Sequence, residues 1–391
     1  MGSAVGTAVQ RHDVVIIGGG VYGASIAYHL SARRVDCALV EMRGLASGPT
    51  GRSSAVVRVH YSMPELAELA IRGLEFFSNA RDTLGTGDVG FVRVGVLYGI
   101  GTDLAAAFAA SGSVLRDRGF PIETLTPDEM RSIVPGFNLD GIAIGLWEPR
   151  SGYADPAGTT AALAERAREL GATVRVNSRV VELAVQGGRV AGVTMADGTR
   201  IAADTVVVAA GPWTKRLVAQ VGFELPLASE RHAVSVLDAG GSALTVVPCV
   251  WSDLPRDYYA RPDGDDNVLV AQQSGGTTVA DPDVYEGGVS LAETEAVMLR
   301  AAPRIPGLES LGIRGGWASL YDVSPDRLHI IDEIPGVDGL YCVAGTSGTG
   351  FKLAPAIGEE VARMVTTGTS DLLRPFRLNR TFDASSELHP R

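Results

Sequence analysis

An apolar run over residues 13–17, a helical pattern over 22–34 and a second apolar run over 37–41 enclose the stretch Gly18-Gly19-Gly20-Val21-Tyr22-Gly23. No other feature narrows the fold as much. Gly18, Gly20 and Gly23 hold the G-x-G-x-x-G positions where a strand turns into a helix. The first permits the tight turn, the second lets backbone approach a pyrophosphate, and the third lets helix and strand pack closely. The helix N-terminus offers unpaired N–H groups and the positive end of its dipole to phosphate. Glu41 closes the second strand about 20 residues beyond the motif, where an acid can hold ribose hydroxyls. Strand, glycines, helix, strand and acid in this order predict a βαβ unit, a parallel sheet and an adenine dinucleotide. The motif by itself leaves NAD and FAD open.

The chain has 391 residues, enough for two or three domains with buried cores, and its 46% hydrophobic and 20% charged content fits a globular enzyme. A formal charge of −11 opposes a nucleic-acid partner. Only two lysines occur, Lys215 and Lys352, so a lysine in a functional context is informative. Cys37, Cys249 and Cys342 lie far apart in apolar runs, which predicts neither a disulfide framework nor a metal site and suggests a reducing compartment. Residues 1–10 have neither a charged n-region nor an apolar h-region, and no apolar stretch reaches membrane-span length. A cytoplasmic location is the expectation.

Along the chain, strand–helix alternation is interrupted twice. A Gly/Ser/Thr-rich loop over 46–55 precedes a long amphipathic helix over 65–84. Residues 89–147 mix strands with helical patches at 105–118 and 127–133 and read as an insertion. Alternation resumes with a helix at 156–170, a strand at 172–176, a hairpin (180–185 and 190–195) about Gly187-Gly188, and a buried strand at 205–209. Residues 225–320 are strand-rich, with turns at Gly240-Gly241, Asp263-Gly264 and Gly275-Gly276 and a helix at 291–302. The tail returns through a strand at 340–343 and a helix at 352–366. Two interleaved domains are expected: residues 11–85, 148–222 and 322–380 in the nucleotide-binding one, residues 86–147 and 223–321 in the other.

The 46–55 loop, the turn Ala209-Ala210-Gly211-Pro212-Trp213 and the stretch Gly345-Thr346-Ser347-Gly348-Thr349-Gly350-Phe351-Lys352 together resemble the D-amino-acid oxidase superfamily, its glycine and sarcosine oxidase branch above all. Gly152-Tyr153-Ala154-Asp155-Pro156 and Ser324-Pro325-Asp326 support the resemblance, which spans about 13–365. It implies an α/β fold with an α+β insertion: a glutathione-reductase-like, FAD-binding Rossmann domain interleaved with a β-sheet-rich substrate domain, the flavin between them. The implied reaction oxidises the carbon–nitrogen bond of an amino acid or N-alkyl amino acid to an imine that water hydrolyses. Oxygen or another acceptor would then reoxidise the flavin. The cofactor contacts expected are Gly18, Gly20, Val21, Tyr22 and Gly23 in the motif, Glu41 and Met42 after the second strand, and Arg52, Ser53 and Ser54 in the polar loop. Further along they are Val180 in the hairpin, Ala210, Gly211 and Trp213, and the C-terminal turn with Gly345, Gly348, Thr349, Gly350, Phe351 and Lys352. That turn would present N–H groups and a helix N-terminus to the flavin's pyrimidine edge, where reduction places negative charge.

Among catalytic candidates, Arg58 matches the arginine that holds the substrate carboxylate in monomeric sarcosine oxidases; a guanidinium suits a carboxylate with two parallel donors. The alternative is an ion-paired structural arginine. Lys352 matches the lysine that shares that duty, the alternative being a solvated helix-end lysine. Tyr61, Tyr259 and Tyr321 fall where the family has pocket residues, though each is also a plausible core residue. His60 is a candidate base or positioning group, against a packing role. His29, His232 and His329 read as packing residues, and Trp251 and Trp317 as either pocket wall or core.

Two departures from the sarcosine oxidases stand out. Ser319 occupies the position of the cysteine that tethers their flavin, so noncovalent FAD is expected. Leu269 or Val270 stands where their oxygen-activating lysine would fall, which favours an acceptor other than oxygen. A 2-hydroxy-acid dehydrogenase of the same fold, with His60 as base, and the flavin subunit of a larger complex are the alternative functions. An aromatic hydroxylase lacks support, since Ala344-Gly345-Thr346 replaces that class's Gly-Asp-Ala.

Overall fold

The computed structural model describes residues 10–85 and 87–383. The leader expectation for residues 1–10 therefore falls outside the described residues except at Gln10, and the expected domain boundary at Thr86 also lies outside them. Within the described residues, an eight-stranded sheet runs in the order Ile330–Glu333, Leu340–Ala344, Arg200–Val208, Gln10–Ile17, Cys37–Val40, Thr173–Arg175. From Leu340–Ala344 to Thr173–Arg175 the pairing is parallel. The hairpin of Val180–Gln186 and Arg189–Met195 joins antiparallel along Arg200–Val208.

The strand pleat sends alternate residues to opposite faces. Val14 and Ile16 pack with the helices Val21–Ala32, Pro64–Ser78, Pro156–Glu169 and Gly350–Thr367. Val15 and Ile17 pack with the hairpin and with Leu225, Leu227 and Val337. A second sheet of nine strands follows the order Thr277–Val279, Ala228–Asp238, Asn267–Gln272, Tyr258–Asp263, Val250–Asp253, Val96–Ile100, Ile144–Glu148, Glu123–Leu125, with the long strand Gly312–Val323 also on Ala228–Asp238. Its strands come from two separate stretches of the chain. Two of them run past the expected boundaries at 147 and 321: Ile144–Glu148 and Gly312–Val323.

The helix expected over 65–84 is two helices, Pro64–Ser78 and Ala80–Leu84. Asn79 breaks it, with φ −119° and its side-chain amide donating to Glu75 O at 2.8 Å, a local bond that competes with the helical ladder. The patch at 127–133 is a single turn, Pro127–Met130, closed by a capping box between Thr126 and Glu129. Helix Pro64–Ser78 presses on the start of Gly350–Thr367; a Cβ on Gly73 would sit 2.1 Å from the Lys352 carbonyl oxygen.

Candidate active site

The glycine motif forms at the carboxyl end of the central strand. Gly18 has φ +113°, and a Cβ on Gly23 would lie 1.8 Å from the Gly18 carbonyl oxygen, so neither position has room for a side chain. Gly20 caps the motif helix, and Val21 N donates to Thr50 Oγ1 of the polar loop at 3.2 Å. Glu41 accepts from Gly19 N at 2.6 Å and from Arg43 N at 2.7 Å. Each of its oxygens keeps a lone pair, and the side chain lines the cavity beside it.

That cavity has a volume of about 390 Å³ and runs from the glycine motif, past the polar loop and the hairpin, to the N-terminus of helix Gly350–Thr367. Every expected cofactor contact lines it except Gly23, Gly345 and Thr349. Gly23 packs helix on strand, and Gly345 shapes the turn with φ +66°. Thr349 faces a second cavity. The lining suits FAD: a glycine cradle with a helix N-terminus for the pyrophosphate, an acid for the ribose, and a second helix N-terminus for the ring edge that becomes negative on reduction. Ser319 is buried and lines the same cavity.

The second cavity, about 100 Å³, shares Ser54, Val56, His232, Tyr259, Tyr321, Gly348 and Lys352 with the first. It brings Arg58 and Lys352 together. Arg58, 5% exposed, donates to His60 O at 2.6 Å. Its guanidinium stands 4.6 Å from the Tyr61 ring centre. Burial opposes its charge, but Tyr98, Tyr61 and Glu148 outweigh that and raise its pKa. Lys352, 6% exposed, donates to Thr349 O at 3.3 Å, and its Nζ lies 5.8 Å from the same Tyr61 ring. Burial, seconded by Arg58, pushes its pKa well below the usual lysine range. Tyr259 and Tyr321 wall both cavities. Tyr61 lines neither and instead backs the two cations.

His60 lines neither cavity, and its expectation as a base is corrected here. It is 1% exposed, stacked on Phe108 at 4.8 Å, and its Nε2 lies 2.7 Å from Ser111 Oγ. Burial first and Arg58 second push its pKa down to about 3, so it is a neutral packing group. His232, read from sequence as packing, instead lines both cavities and stacks on Tyr321 at 4.0 Å, with Nε2 3.3 Å from Glu230 Oε2. Trp251 is core, 0% exposed, and Trp317 donates to Arg52 O, so neither walls the pocket.

Sequence reasoning also missed Glu148. It is fully buried and accepts from Val59 N and His60 N at 2.8 Å each and from Ser151 Oγ at 2.5 Å. It thereby fixes the backbone just after Arg58. Tyr98 and the amides of Gln272 and Gln273 complete the polar side of the small cavity.

Residues 13–364 match the family model for FAD dependent oxidoreductases abbreviated DAO. The chain belongs to the D-amino-acid oxidase superfamily. It is an FAD-dependent amine or amino-acid oxidoreductase. It is 31% identical to a 4-methylaminobutanoate oxidase (formaldehyde-forming) of Paenarthrobacter nicotinovorans over 91% of this chain, and it spans 44% of that relative's length. It is 28% identical to a glycine oxidase of Geobacillus kaustophilus, covering 95% of this chain and 97% of the relative. Among solved structures, the L-proline dehydrogenase of P. horikoshii superposes with a TM-score of 0.84 at 25% identity, over 93% of this chain and 96% of the other. Among the described residues of this superfamily member, no helix is long and apolar enough to cross a membrane.

Proposed function

We propose that the enzyme oxidises the carbon–nitrogen bond of a small amino acid or N-alkyl amino acid, sarcosine- or glycine-like, to an imine. The observation that carries this reading is the pair Arg58 and Lys352 on a cavity of about 100 Å³ that opens into the cofactor cavity. Bound in the larger cavity, the flavin supplies a two-electron acceptor for the carbon–nitrogen bond. Arg58 and Lys352 hold the carboxylate, Tyr259, Tyr321 and His232 wall the reacting carbon, and the small volume selects a short side chain.

The hydroxy-acid alternative relied on His60 as base, and its seclusion behind Phe108 removes the support for that route. In the proposed division, the sheet around Gln10–Ile17 carries FAD and the nine-stranded sheet carries substrate selection. FAD is held noncovalently, since Ser319 offers no thiol; acid precipitation releases the yellow chromophore to the supernatant, and colour retained in the pellet overturns this. The enzyme favours an acceptor other than oxygen. Leu269 and Val270 are both 0% exposed, and Arg261 is committed to Ser54 O at 2.7 Å and Asp263 at 2.9 Å. We place it in the cytoplasm. Turnover of glycine, sarcosine and N-methyl amino acids with an artificial acceptor, beside lactate and 2-hydroxyglutarate, tests the function. Turnover confined to the hydroxy acids refutes it.

A further inference from the structure

Lys352 occupies an unusual place for a charged amine. It is 6% exposed in the first turn of helix Gly350–Thr367, where the dipole opposes a cation. An ammonium carries three donors, yet the acceptor its Nζ meets among the described residues is the Thr349 carbonyl at 3.3 Å. No carboxylate lies within 4.0 Å of it among those residues, while the Arg58 guanidinium shares the Tyr61 ring with it. The groups around it are Arg58 and Tyr61 after strand Val56–Val57, Tyr98 on Val96–Ile100 and Glu148 on Ile144–Glu148. His232, Tyr259 and Tyr321 face it from the nine-stranded sheet, with His329 and Arg327 before Ile330–Glu333. Glu148, the acid of this set, already accepts four hydrogen bonds, from Val59, His60, Ser151 and, at 3.5 Å, Tyr98. Two guanidiniums line the empty pocket, Arg58 and Arg327. Arg327 is paired with Glu230 at 3.3 Å, whereas Arg58 opposes a second charge on Lys352 more strongly than Glu148 favours one.

An amino-acid substrate arrives with the opposite problem. At neutral pH its nitrogen carries a proton, and a protonated amine has no lone pair to assist loss of the adjacent C–H. We propose that Lys352 is uncharged in the empty pocket and removes the ammonium proton of the incoming amino acid, becoming the second cation that clamps the carboxylate. The lone pair on Nζ takes the proton, the N–H bond of the substrate breaks, and its electron pair stays on the substrate nitrogen. The zwitterion becomes an amine carboxylate, and the new lysine ammonium gains the carboxylate oxygens as acceptors. No electrons leave either partner. Carboxylate binding and amine activation become one event at one side chain.

This rests on the proposed amino-acid reading, and the two are separable by experiment. Titration calorimetry of the FAD-loaded enzyme with acetate, in two buffers of different ionisation heat, counts protons exchanged on binding. Acetate brings no proton, so about one is taken up per site, and affinity falls about tenfold per pH unit once Lys352 is deprotonated in the free enzyme. With 2-aminoisobutyrate, which carries its own ammonium proton and has no oxidisable C–H next to nitrogen, net uptake is close to zero. In Lys352→Met acetate binds more weakly and without uptake. Acetate that binds the parent enzyme with no uptake shows a lysine already charged and overturns the proposal, leaving the amino-acid reading intact. Uptake that persists in Lys352→Met assigns the proton to another group, His232 first, and also overturns it. Failure of acetate to bind removes the carboxylate anchor, and the proposal and the reading fall together.

Discussion

Arg58 and Lys352 were both singled out in the sequence by the family resemblance, Arg58 also because an arginine between apolar neighbours needs an anionic partner and Lys352 because lysine is rare in this chain and opposes the dipole at a helix N-terminus. What the sequence did not disclose is how each is held. Arg58 rests on Tyr61 and Tyr98 and on a loop backbone pinned by Glu148, a residue from a distant strand whose role no local pattern announces. His60 and His232 show the same limit in opposite directions. His60 follows apolar Val59 and His232 follows the charged pair Glu230-Arg231, yet the first turns toward helix Ala105–Asp117 and the second toward the cofactor cavity, a choice made by sheet pairing. Strand alternation assigns His232 and Val234 to one face; only the neighbouring strands, with Ser319 opposite His232, show that this face lines a cavity. Arg58→Met should lose a charge-assisted hydrogen bond to the ligand, on the order of 1.5–3 kcal/mol, and weaken carboxylate binding about 10- to 100-fold. Titration followed by the flavin spectrum measures this, with the unliganded spectrum unchanged. Unaltered affinity in that variant would remove Arg58 from the anchor.

At the level of elements, the glycine motif, the hairpin and the C-terminal helix were readable because each carries its own chemistry: turn glycines, period-two alternation, and a helix opened by a glycine-rich turn. The break at Asn79 was not, since amphipathic periodicity continues through it. The motif helix tolerates no Cβ at Gly23, where Ala would drive the helix off its strand by a contact of 1.8 Å to Gly18 O. Gly23→Ala is expected to fold with little or no FAD, which the visible absorbance per protein reports; full flavin content contradicts the cradle. Helix Gly350–Thr367, which carries Lys352, is tied to helix Pro64–Ser78 by Arg72, which donates to Glu360 at 2.7 Å and also bonds Glu359. Glu360 is 1% exposed and also accepts from Ser370 Oγ at 2.7 Å. Arg72→Met leaves buried Glu360 with Arg363 at 3.4 Å and Ser370 at 2.7 Å as its partners, so the cost falls below the roughly 3–5 kcal/mol of a wholly unpaired buried charge. Thermal unfolding should show a clear loss of stability, and a fall within experimental error would mean that the tie is dispensable.

For the molecule as a whole, two sheets from interleaved stretches meet along one cavity, and much of what lies between them is buried and uncharged. His60 and His329 are each 1% exposed, and burial pushes both down to about 3 from an ordinary 6.5. The His329 ring nitrogen lies 2.7 Å from the Tyr22 hydroxyl, a hydrogen bond open to the neutral ring. Unfolding frees both rings to titrate near 6.5, so below that pH the unfolded chain binds protons that the folded chain does not. Their contribution is intact above pH 6.5 and is lost as pH falls toward about 3, at about 1.4 kcal/mol per ring and pH unit. The unfolding temperature should therefore drop between about pH 7 and about pH 5, and substituting His60 by an uncharged ring such as Phe should flatten that slope; a slope unchanged by substitution would place the acid sensitivity elsewhere.

The central claim, that this fold oxidises a carboxylate-anchored amine, is tested most directly by anaerobic rapid mixing of the FAD-loaded enzyme with sarcosine, with its amide, and with a 2-hydroxy acid of similar size. The flavin's visible absorbance is expected to bleach with sarcosine or a close N-alkyl homologue, far more slowly with the uncharged amide, and not with the hydroxy acid. Equal bleaching by acid and amide, or bleaching by the hydroxy acid alone, contradicts the claim.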